Sequence, residues 1–241
     1  MCTVSFIPVK KGVILTSNRD EHVSRGIALY PEFYQHNGKR LACPKDSKAG
    51  GTWFISNEKG DIGVLLNGAF EKHIPLPPYR KSRGLVLPEI FQSSSPFETL
   101  KEYNLAGIEN FTIILWEQQE LREIKWDGIK LFIQTHHPKR VHIWSSVTLY
   151  SEKMINQRHG WFNNWLRSSK IITQQDILDF HNNTSSNNKE YGLRVSRDNE
   201  ISTSSITSIS LENKKVIFYH KDLIQNIESK LEYDLIQVPK L

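Results

Sequence analysis

The order of the predicted elements favours an α+β protein built from mostly antiparallel sheets. Strand-like stretches come early in the chain, helix-like stretches in the middle and strand-like stretches again at the end. A parallel sheet would instead need strands and helices to alternate. The chain has 241 residues, of which 38% are hydrophobic, and this length and composition suffice for a hydrophobic core. The sequence shows no internal repeat. We therefore expect a layered α+β architecture and take residues 1–241 as one domain.

The first element is a predicted hairpin. Residues 2–8 are rich in β-branched and aromatic types, Lys10-Lys11-Gly12 supplies a turn, and residues 13–16 return. Antiparallel pairing across a short turn brings the start of the first strand beside the end of the second, so Cys2 should neighbour residues 18–20. Strand alternation predicts Asn18 and Asp20 on one face and Arg19 on the other.

The next part of the chain predicts one irregular segment and one further hairpin. Residues 22–50 carry Pro and Gly at intervals, which predicts a long excursion with only short extended pieces such as residues 41–43. Residues 52–56 and 62–67 then read as two strands around a turn, and this second hairpin delivers Asn67 to a strand end. A proline-rich loop over residues 74–78 follows, and Pro88 interrupts an otherwise helical stretch over residues 83–91.

The remaining elements alternate between helix and sheet signals. Ser95 and Glu98 have capping-box spacing around Pro96, which predicts a helix over about residues 96–104. Helical spacing of apolar residues predicts two more helices, and β-rich runs predict the strands of a second block of sheet and a last hairpin. The helices are expected over 151–168 and 173–180, the block of sheet over 111–116, 121–126, 130–133 and 141–144, and the hairpin over 201–211 and 215–219. Residues 182–189 read as a polar loop, and the last twenty residues as either a helix or an extended return.

Composition narrows the partners and the compartment. The 31 basic and 26 acidic residues are spread along the chain, and the net charge of +5 has no run of like charges, so we expect no nucleic-acid partner. Two cysteines indicate a reducing compartment, although a Cys2–Cys43 bridge stays open. No secretory signal and no long apolar run is visible, so we expect a cytoplasmic protein without a membrane span. Oligomeric state is not predicted.

We also expect no resident cofactor and no metal. Gly-x-Gly-x-x-Gly, Walker-type and Cys-x-x-Cys motifs are absent from the sequence. His136, His137 and His142 cluster near a predicted turn, but no acidic or thiol ligand stands at a suitable spacing in the sequence. Strand-edge or solvent histidines are therefore the favoured interpretation.

Cys2 is the main candidate for chemistry. Removal of Met1, expected because the residue after it is small, would leave a thiol and a free α-amine on one residue. An N-terminal amine titrates near pH ~8 and a thiol near ~8.5, so the amine can act as base for the thiol attached to it. Without further context Cys2 would read as an ordinary small buried residue.

Four motifs make the chain resemble the NRDE family, also called transport and Golgi organisation 2. They are Met1-Cys2-Thr3-Val4, Asn18-Arg19-Asp20-Glu21, Gly50-Gly51-Thr52-Trp53 and Leu66-Asn67, with Ser82-Arg83-Gly84-Leu85 as a further match. That family in turn resembles the N-terminal nucleophile hydrolases, above all the choloylglycine hydrolase and penicillin acylase branch. Its members begin with Met-Cys-Thr and carry an Asn-x-Asp unit after the second strand. The resemblance implies a four-layer αββα sandwich.

The resemblance also implies roles for site residues. Cys2 is the nucleophile, Asp20 contacts its amine or thiol, and Asn67 contributes an amide to an oxyanion hole. Asn18 and Arg19 complete the candidate catalytic set.

Three further residues, Glu21, Trp53 and Ser146, are candidates for the substrate pocket. Several bland alternatives stay open. Asp20 and Glu21 could cap a turn or pair with Arg19, Asn67 before Gly68 could be a loop residue, and Trp53 could simply pack in the core.

Departures from the hydrolase pattern stand at three positions. The hydrolase branch has arginine where this chain has Ser17, and the arginine is shifted to Arg19, which we expect to point elsewhere. Ser145-Ser146 replaces the Ser-Asn pair of that branch. The third departure is the arginine expected near the last hairpin, which the sequence does not place, although Arg194 and Arg197 are near.

Two functions therefore compete. The first is a cysteine N-terminal-nucleophile hydrolase or acyltransferase acting on an amide or acyl substrate through Cys2. The second is a non-catalytic carrier that binds a haem-like or acyl-lipid ligand in the same pocket, since NRDE-family members are connected with haem trafficking and acyl-lipid homeostasis. The Cys43-Pro44 pair, a dipeptide of haem-regulated proteins, is a weak hint of the latter.

Overall fold

The architecture is that of two large antiparallel sheets stacked face to face. A computed structural model describes residues 2–36, 38–168, 171–198 and 200–236, with the side chains of Cys2 and His36 outside the description. Within these ranges the strands form two seven-stranded sheets. The predicted α+β class with antiparallel sheets is confirmed.

The first sheet contains both ends of the described chain. Its strands are β1 (Cys2–Val9), β2 (Gly12–His22), β10 (His142–Ser145), β11 (Ser196–Arg197), β12 (Ile201–Glu212), β13 (Lys215–Asp222) and β14 (Ile227–Asp234). They lie in the order β10-β1-β2-β12-β13-β14, with β11 on β12. The predicted hairpins β1–β2 and β12–β13 are both present, and the last part of the chain is the extended return, not a helix.

The second sheet follows the chain order without a crossover. Its strands are β3 (Ala28–His36), β4 (Lys39–Asp46), β5 (Phe54–Asn57), β6 (Ile62–Asn67), β7 (Phe111–Glu117), β8 (Glu120–Trp126) and β9 (Leu131–His136). The prediction that the strands after residue 110 form a separate block of sheet is therefore wrong. Strands β7 to β9 extend the sheet that β3 begins, and only β10 leaves it to pair with β1.

The expectation of an irregular excursion over residues 22–50 is also wrong. This segment forms the regular hairpin β3–β4, and the prolines that suggested irregularity occupy tolerated places. Pro31 lies at the register shift between Leu29 and Glu32 on an edge strand. Pro44 lies beyond the residues of β4 that pair with β5. Sheets accept proline at such bulges and unpaired edges because no ladder hydrogen bond is lost there.

Among the described helices, the two that pack on the second sheet are shorter than the two that pack on the first sheet. The described helices are α1 (Val86–Ile90), α2 (Pro96–Glu102), α3 (Glu152–Ser168) and α4 (Gln174–Asn183), with 3-10 turns at Val23–Arg25 and Arg83–Leu85. Pro88 lies in the first turn of α1, where its missing N–H costs no intrahelical bond. Ser95 caps α2 as predicted, and Thr173 with Asp176 forms a capping box on α4.

Three of the hydrophobic clusters formed by the described residues lie between successive layers of the fold. One core, with Phe6, Leu15, Phe54 and Phe218, lies between the two sheets. A second joins α1 and α2 to the outer face of the second sheet. A third joins α3 and α4 to the outer face of the first sheet. The layers are therefore helix, sheet, sheet, helix. No described helix has the length and apolar composition needed to span a bilayer.

Candidate active site

The start of β1 is enclosed by two neighbouring strands. The backbone of Cys2 is opposite Arg19 of β2, and Thr3 is opposite both Asn18 of β2 and Ser145 of β10. The predicted neighbourhood of Cys2 and residues 18–20 is therefore present at the level of the backbone. The expected removal of Met1 and the Cys2 thiol lie outside the described part of the structure.

Arg19 projects between the two sheets. Its guanidinium donates to Asp46 Oδ2 at 2.7 Å and to Ser204 Oγ at 3.1 Å, and it lies 4.5 Å above the ring of Trp53. Glu21 is 3.8 Å away. An ion-pair cluster thus forms around Arg19. The carboxylate nearest to Arg19 is that of Asp46, a residue that was not among the partners expected from the sequence.

The direction of Arg19 corrects one expectation. We expected alternation to point Arg19 away from the position that arginine occupies in the hydrolase branch, which is Ser17 here. Residues two apart on a strand share a face, however, and Ser17 is opposite Val4 of the inter-sheet core. Arg19 is therefore on the same face as Ser17, displaced along β2.

The motifs that carry the family resemblance line one small cleft beside Arg19. The cleft, of about 70 Å³, is lined by Glu21, Trp53, Asn67 and Arg83 among others. The amide of Thr52 donates to Gly84 O at 2.8 Å, and a Cβ on Gly51 would lie 2.6 Å from the carbonyl carbon of Gly84. Glycine at 51 is thus required for the close backbone contact that brings these two motifs together.

Asp46 closes the cleft as an ionised carboxylate. Burial alone would raise its pKa, but the amides of Ala49 and Lys48 and the guanidinium groups of Arg25 and Arg19 outweigh burial and hold the pKa of Asp46 below its ordinary value. Arg83, on the other wall, is held by Glu109 at 2.9 Å. The cleft therefore holds alternating charges that are fixed before any ligand binds.

Asp20 points to the opposite face of β2. Its carboxylate is fully buried and accepts hydrogen bonds from the hydroxyls of Tyr150 and Thr203, the latter at 2.6 Å. Burial and the Asp20 carboxylate raise the pKa of Tyr150 well above its usual value, so the phenol stays a donor. The predicted split of Asp20 and Arg19 onto two faces is confirmed.

Arg158 of α3 supports this side of the site. It is fully buried, donates to Thr3 Oγ1 at 2.5 Å and to Gly192 O at 2.7 Å, and lies 3.5 Å above the ring of Tyr150. Sequence reasoning missed both Arg158 and Tyr150. A usable signal existed for Arg158, because it stands four residues from Met154 and four from Phe162, which are the other buried residues of α3.

Asn18 joins β2 to α4. Its amide donates to His181 O at 3.1 Å and Leu193 O at 2.6 Å, and its oxygen is 2.5 Å from His181 Nδ1. His181 Nε2 in turn is 2.8 Å from Ser5 Oγ. These contacts hold the helix layer against β1 and β2, and Asn18 remains a predicted site residue.

Asn67 lies at the junction of two cavities. It lines the small cleft on one side and a larger cavity of about 400 Å³ on the other. Ser146 Oγ donates to Asn67 O at 2.7 Å, which ties the end of β6 to the segment after β10. Among the described residues the side-chain amide of Asn67 has no hydrogen-bond partner, so its N–H groups are available to a ligand.

The larger cavity has an apolar wall and a polar end. The wall includes Leu66, Trp144, Val147, Ile155 and Phe162, and the polar end includes Glu123, Lys125, His136 and His142. Burial raises the pKa of Glu123, but hydrogen bonds from Lys125, His136 and Trp144 outweigh it and lower that pKa overall.

Neither a metal centre nor a disulfide is formed by the described side chains. In the described ranges no group of three or more His, Cys, Asp or Glu side chains could hold a metal ion. Cys43 is a free, buried thiol whose pKa burial raises to about 12, so the open possibility of a Cys2–Cys43 bridge is not realised. Cys43 instead lines a separate cavity of about 180 Å³ under α1.

Three solved structures with the same fold are an amidase ortholog and two variants of a bile acid hydrolase. A Caenorhabditis elegans ortholog of N-acylethanolamine-hydrolyzing acid amidase matches with a TM-score of 0.61 at 10% identity, covering 86% of this chain and 92% of the other. The R-to-L variant and the C2A mutant of conjugated bile acid hydrolase from Clostridium perfringens match with TM-scores of 0.60 and 0.61. Both are 12% identical, and each match covers 96% of this chain and 92% of the other.

These matches show that the fold is the N-terminal nucleophile hydrolase sandwich, as the resemblance implied. No curated protein matches the sequence significantly. The sequence model for transport and Golgi organisation 2, in contrast, matches residues 1–233. Because this match covers nearly the whole sequence, the chain belongs to the transport and Golgi organisation 2 family.

Proposed function

We propose that the protein is a cysteine N-terminal-nucleophile hydrolase or acyltransferase that acts on an amide or acyl substrate through Cys2. The observation that carries the proposal is the Asn67 side chain, whose amide has no hydrogen-bond partner among the described residues and which lines both cavities at the end of the sandwich where β1 begins. The fold supports it, because the similar structures named above are amide hydrolases.

The proposed reaction uses one residue as nucleophile and base. The α-amine of Cys2 takes the thiol proton, and the sulfur attacks the substrate carbonyl to form a C–S bond. The carbonyl oxygen becomes an oxyanion, which the Asn67 amide stabilises by about 3 kcal/mol. Collapse breaks the bond to the leaving group, which takes the proton from the amine. Water or an acceptor amine then attacks the thioester and gives a proton to the α-amine. The C–S bond breaks, the acyl group leaves as an acid or amide, and the Cys2 sulfur takes the proton back from the amine.

Asp20 has a supporting part in this proposal. A carboxylate has about four acceptor positions, and Tyr150 and Thr203 occupy two of them. The others remain for the Cys2 amine, whose backbone is one residue along the register. In this role Asp20 would orient the amine as a base, and its buried partners would fix the carboxylate.

Intact-mass spectrometry tests the proposal directly. The protein is exposed to a panel of thioesters and N-acyl amides. We expect an acyl adduct on Cys2 that disappears in Cys2→Ala and forms on the order of 100-fold more slowly in Asn67→Ala. The same spectra report whether Met1 is absent, as the amine base requires.

Cys43→Ala is the matched control, because that thiol is buried and has a raised pKa. It should leave the adduct unchanged. An adduct that survives in Cys2→Ala would contradict the proposal.

The carrier function is a second candidate, favoured by the hydroxyl of Ser146. Ser146 donates to the backbone of Asn67 and stands where the hydrolase branch carries an active-site asparagine, so one amide donor is missing. A carrier would bind an acyl or haem-like ligand without cleaving it. Titration with haemin, comparing the wild type with Cys2→Ala and Cys43→Ala, should then give a spectral shift, and its absence in all three would exclude haem.

A further inference from the structure

The polar end of the larger cavity is organised around one carboxylate with three hydrogen-bond donors. Glu123 accepts from Lys125 Nζ at 2.8 Å, from His136 Nε2 at 2.9 Å, and from the Trp144 side chain. These donors come from β8, β9 and β10, so the group joins the edges of both sheets. Its acceptor capacity is therefore largely used within the protein.

Lys125 retains hydrogen-bond donors toward the cavity. The Lys125 ammonium has three N–H groups and gives one contact to Glu123, and its nitrogen lies 4.9 Å from the ring of Phe70. His142 stacks on Trp144 with ring centroids 5.4 Å apart, and its Nε2 lies 3.5 Å from His137 O, to which it can donate. A ligand group at this end must therefore supply acceptors.

Asn67 and Lys125 line the same cavity, together with apolar side chains. Leu66, Trp144 and Val147 line it, and the whole cavity of about 400 Å³ has the size of a small-molecule site. A ligand that contacts all of these groups has a carbonyl for the Asn67 amide, an apolar chain and an acceptor group for Lys125.

We propose that the preferred ligand is an acyl compound whose chain ends in a carboxylate bound by Lys125. This assignment rests on the proposed function, because it takes Asn67 as the group that receives the carbonyl. The carboxylate replaces the missing acceptors, and its hydrogen bonds to the ammonium are charge-assisted. An uncharged chain end would leave these donors without partners when water is displaced.

Calorimetric titration with two matched probes tests the assignment. The probes are octanoic acid N-methylamide and the mono-N-methylamide of octanedioic acid, which differ in the terminal carboxylate. We expect the carboxylated probe to bind about tenfold more tightly to the wild type, and this preference to disappear in Lys125→Gln and persist in Lys125→Arg. Lys130→Gln is the control, because Lys130 is exposed in the turn after β8 and stacks on Phe132 outside the cavity.

The outcomes separate this assignment from the proposed function. Equal affinity for both probes, or no binding of either, would overturn the assignment, whereas adduct formation on Cys2 is scored independently. Tighter binding of the carboxylated probe without any adduct would support the assignment and contradict the proposed hydrolase. Loss of the preference in Lys130→Gln would also overturn it, since the effect would then be one of general surface charge.

Discussion

Arg19 and Asp20 are neighbours in the chain that act on opposite faces of one strand. Arg19 lies between the sheets with Asp46 and Trp53, whereas Asp20 lies under the helix layer with Tyr150 and Thr203. Neither charge neutralises the other, so each needs its own buried partners. Removing a single partner leaves a buried charge less well solvated, which is costly.

Tyr150→Phe tests this at the residue scale. The substitution keeps the ring above which Arg158 lies but removes one of the two hydroxyls that donate to the buried Asp20 carboxylate. We expect the free energy of unfolding to fall by about 1–3 kcal/mol in urea titrations. Tyr191→Phe is the comparison, because the Tyr191 hydroxyl has no partner among the described residues, and it should change stability by less than about 0.5 kcal/mol. Equal effects of the two changes would contradict the assigned contact.

Contacts of the site can be predicted from the sequence when the two residues are close together along the chain, and not when they are far apart. The register of Cys2 with residues 18–20 follows from a short turn, so local pattern suffices. Asp46 is 27 residues from Arg19 and Tyr150 is 130 residues from Asp20, and no local pattern reports such contacts. Arg158 is the exception, because a charged residue on the apolar stripe of α3 signals a buried role.

Among the elements, predictability depends on whether the partner strand is the next one in the chain. The hairpins β1–β2, β5–β6 and β12–β13 are all predicted, since the turn specifies the pairing. The hairpin β3–β4 is missed, because Pro31 and Pro44 look like breaks when the sheet edge that tolerates them is unknown. The pairing of β10 with β1 is missed for a different reason, namely that the two strands are far apart in sequence.

Gly51→Ala tests how the elements around the cleft are held. A Cβ there would meet the backbone of Gly84 at 2.6 Å, and backbone atoms cannot move aside as a flexible side chain can. We expect a loss of about 1–3 kcal/mol in the free energy of unfolding.

The matched control is Gly160→Ala on the exposed side of α3, where a Cβ meets nothing within 4 Å. It should stabilise the protein by up to about 1 kcal/mol, because alanine is the better helix former. Stabilisation by both changes would contradict the close contact at Gly51.

At the scale of the whole molecule, the first sheet has a buried histidine on each face. His181 belongs to α4 and packs on the outer face of that sheet, and its pKa is lowered to about 3 by burial and by Arg158. His220 lies on the inter-sheet face, and its pKa is lowered to about 4 by burial and by Arg19. Burial and the positive charge of a nearby arginine disfavour the protonated form of each imidazole. The folded protein therefore keeps both imidazoles neutral at pH values where a solvated imidazole becomes charged.

Stability should therefore fall as the pH is lowered below about 6.5. Above that pH both histidines are neutral in the folded and unfolded states, so they impose no cost. Below it the unfolded chain binds a proton at each site, whereas the folded chain does so only near pH 4 for His220 and near pH 3 for His181. Each group thus lowers the free energy of unfolding by up to about 1.4 kcal/mol per pH unit in this window.

Urea titrations at pH 7.5, 6.0 and 5.0 should show this decline in the wild type. His220→Gln should cost stability at pH 7.5 through the lost contact to Thr207 Oγ1, but its decline between pH 6.0 and 5.0 should be shallower by about one proton. An unchanged slope in this variant would mean that His220 is protonated in the folded protein, which would contradict its burial beside Arg19.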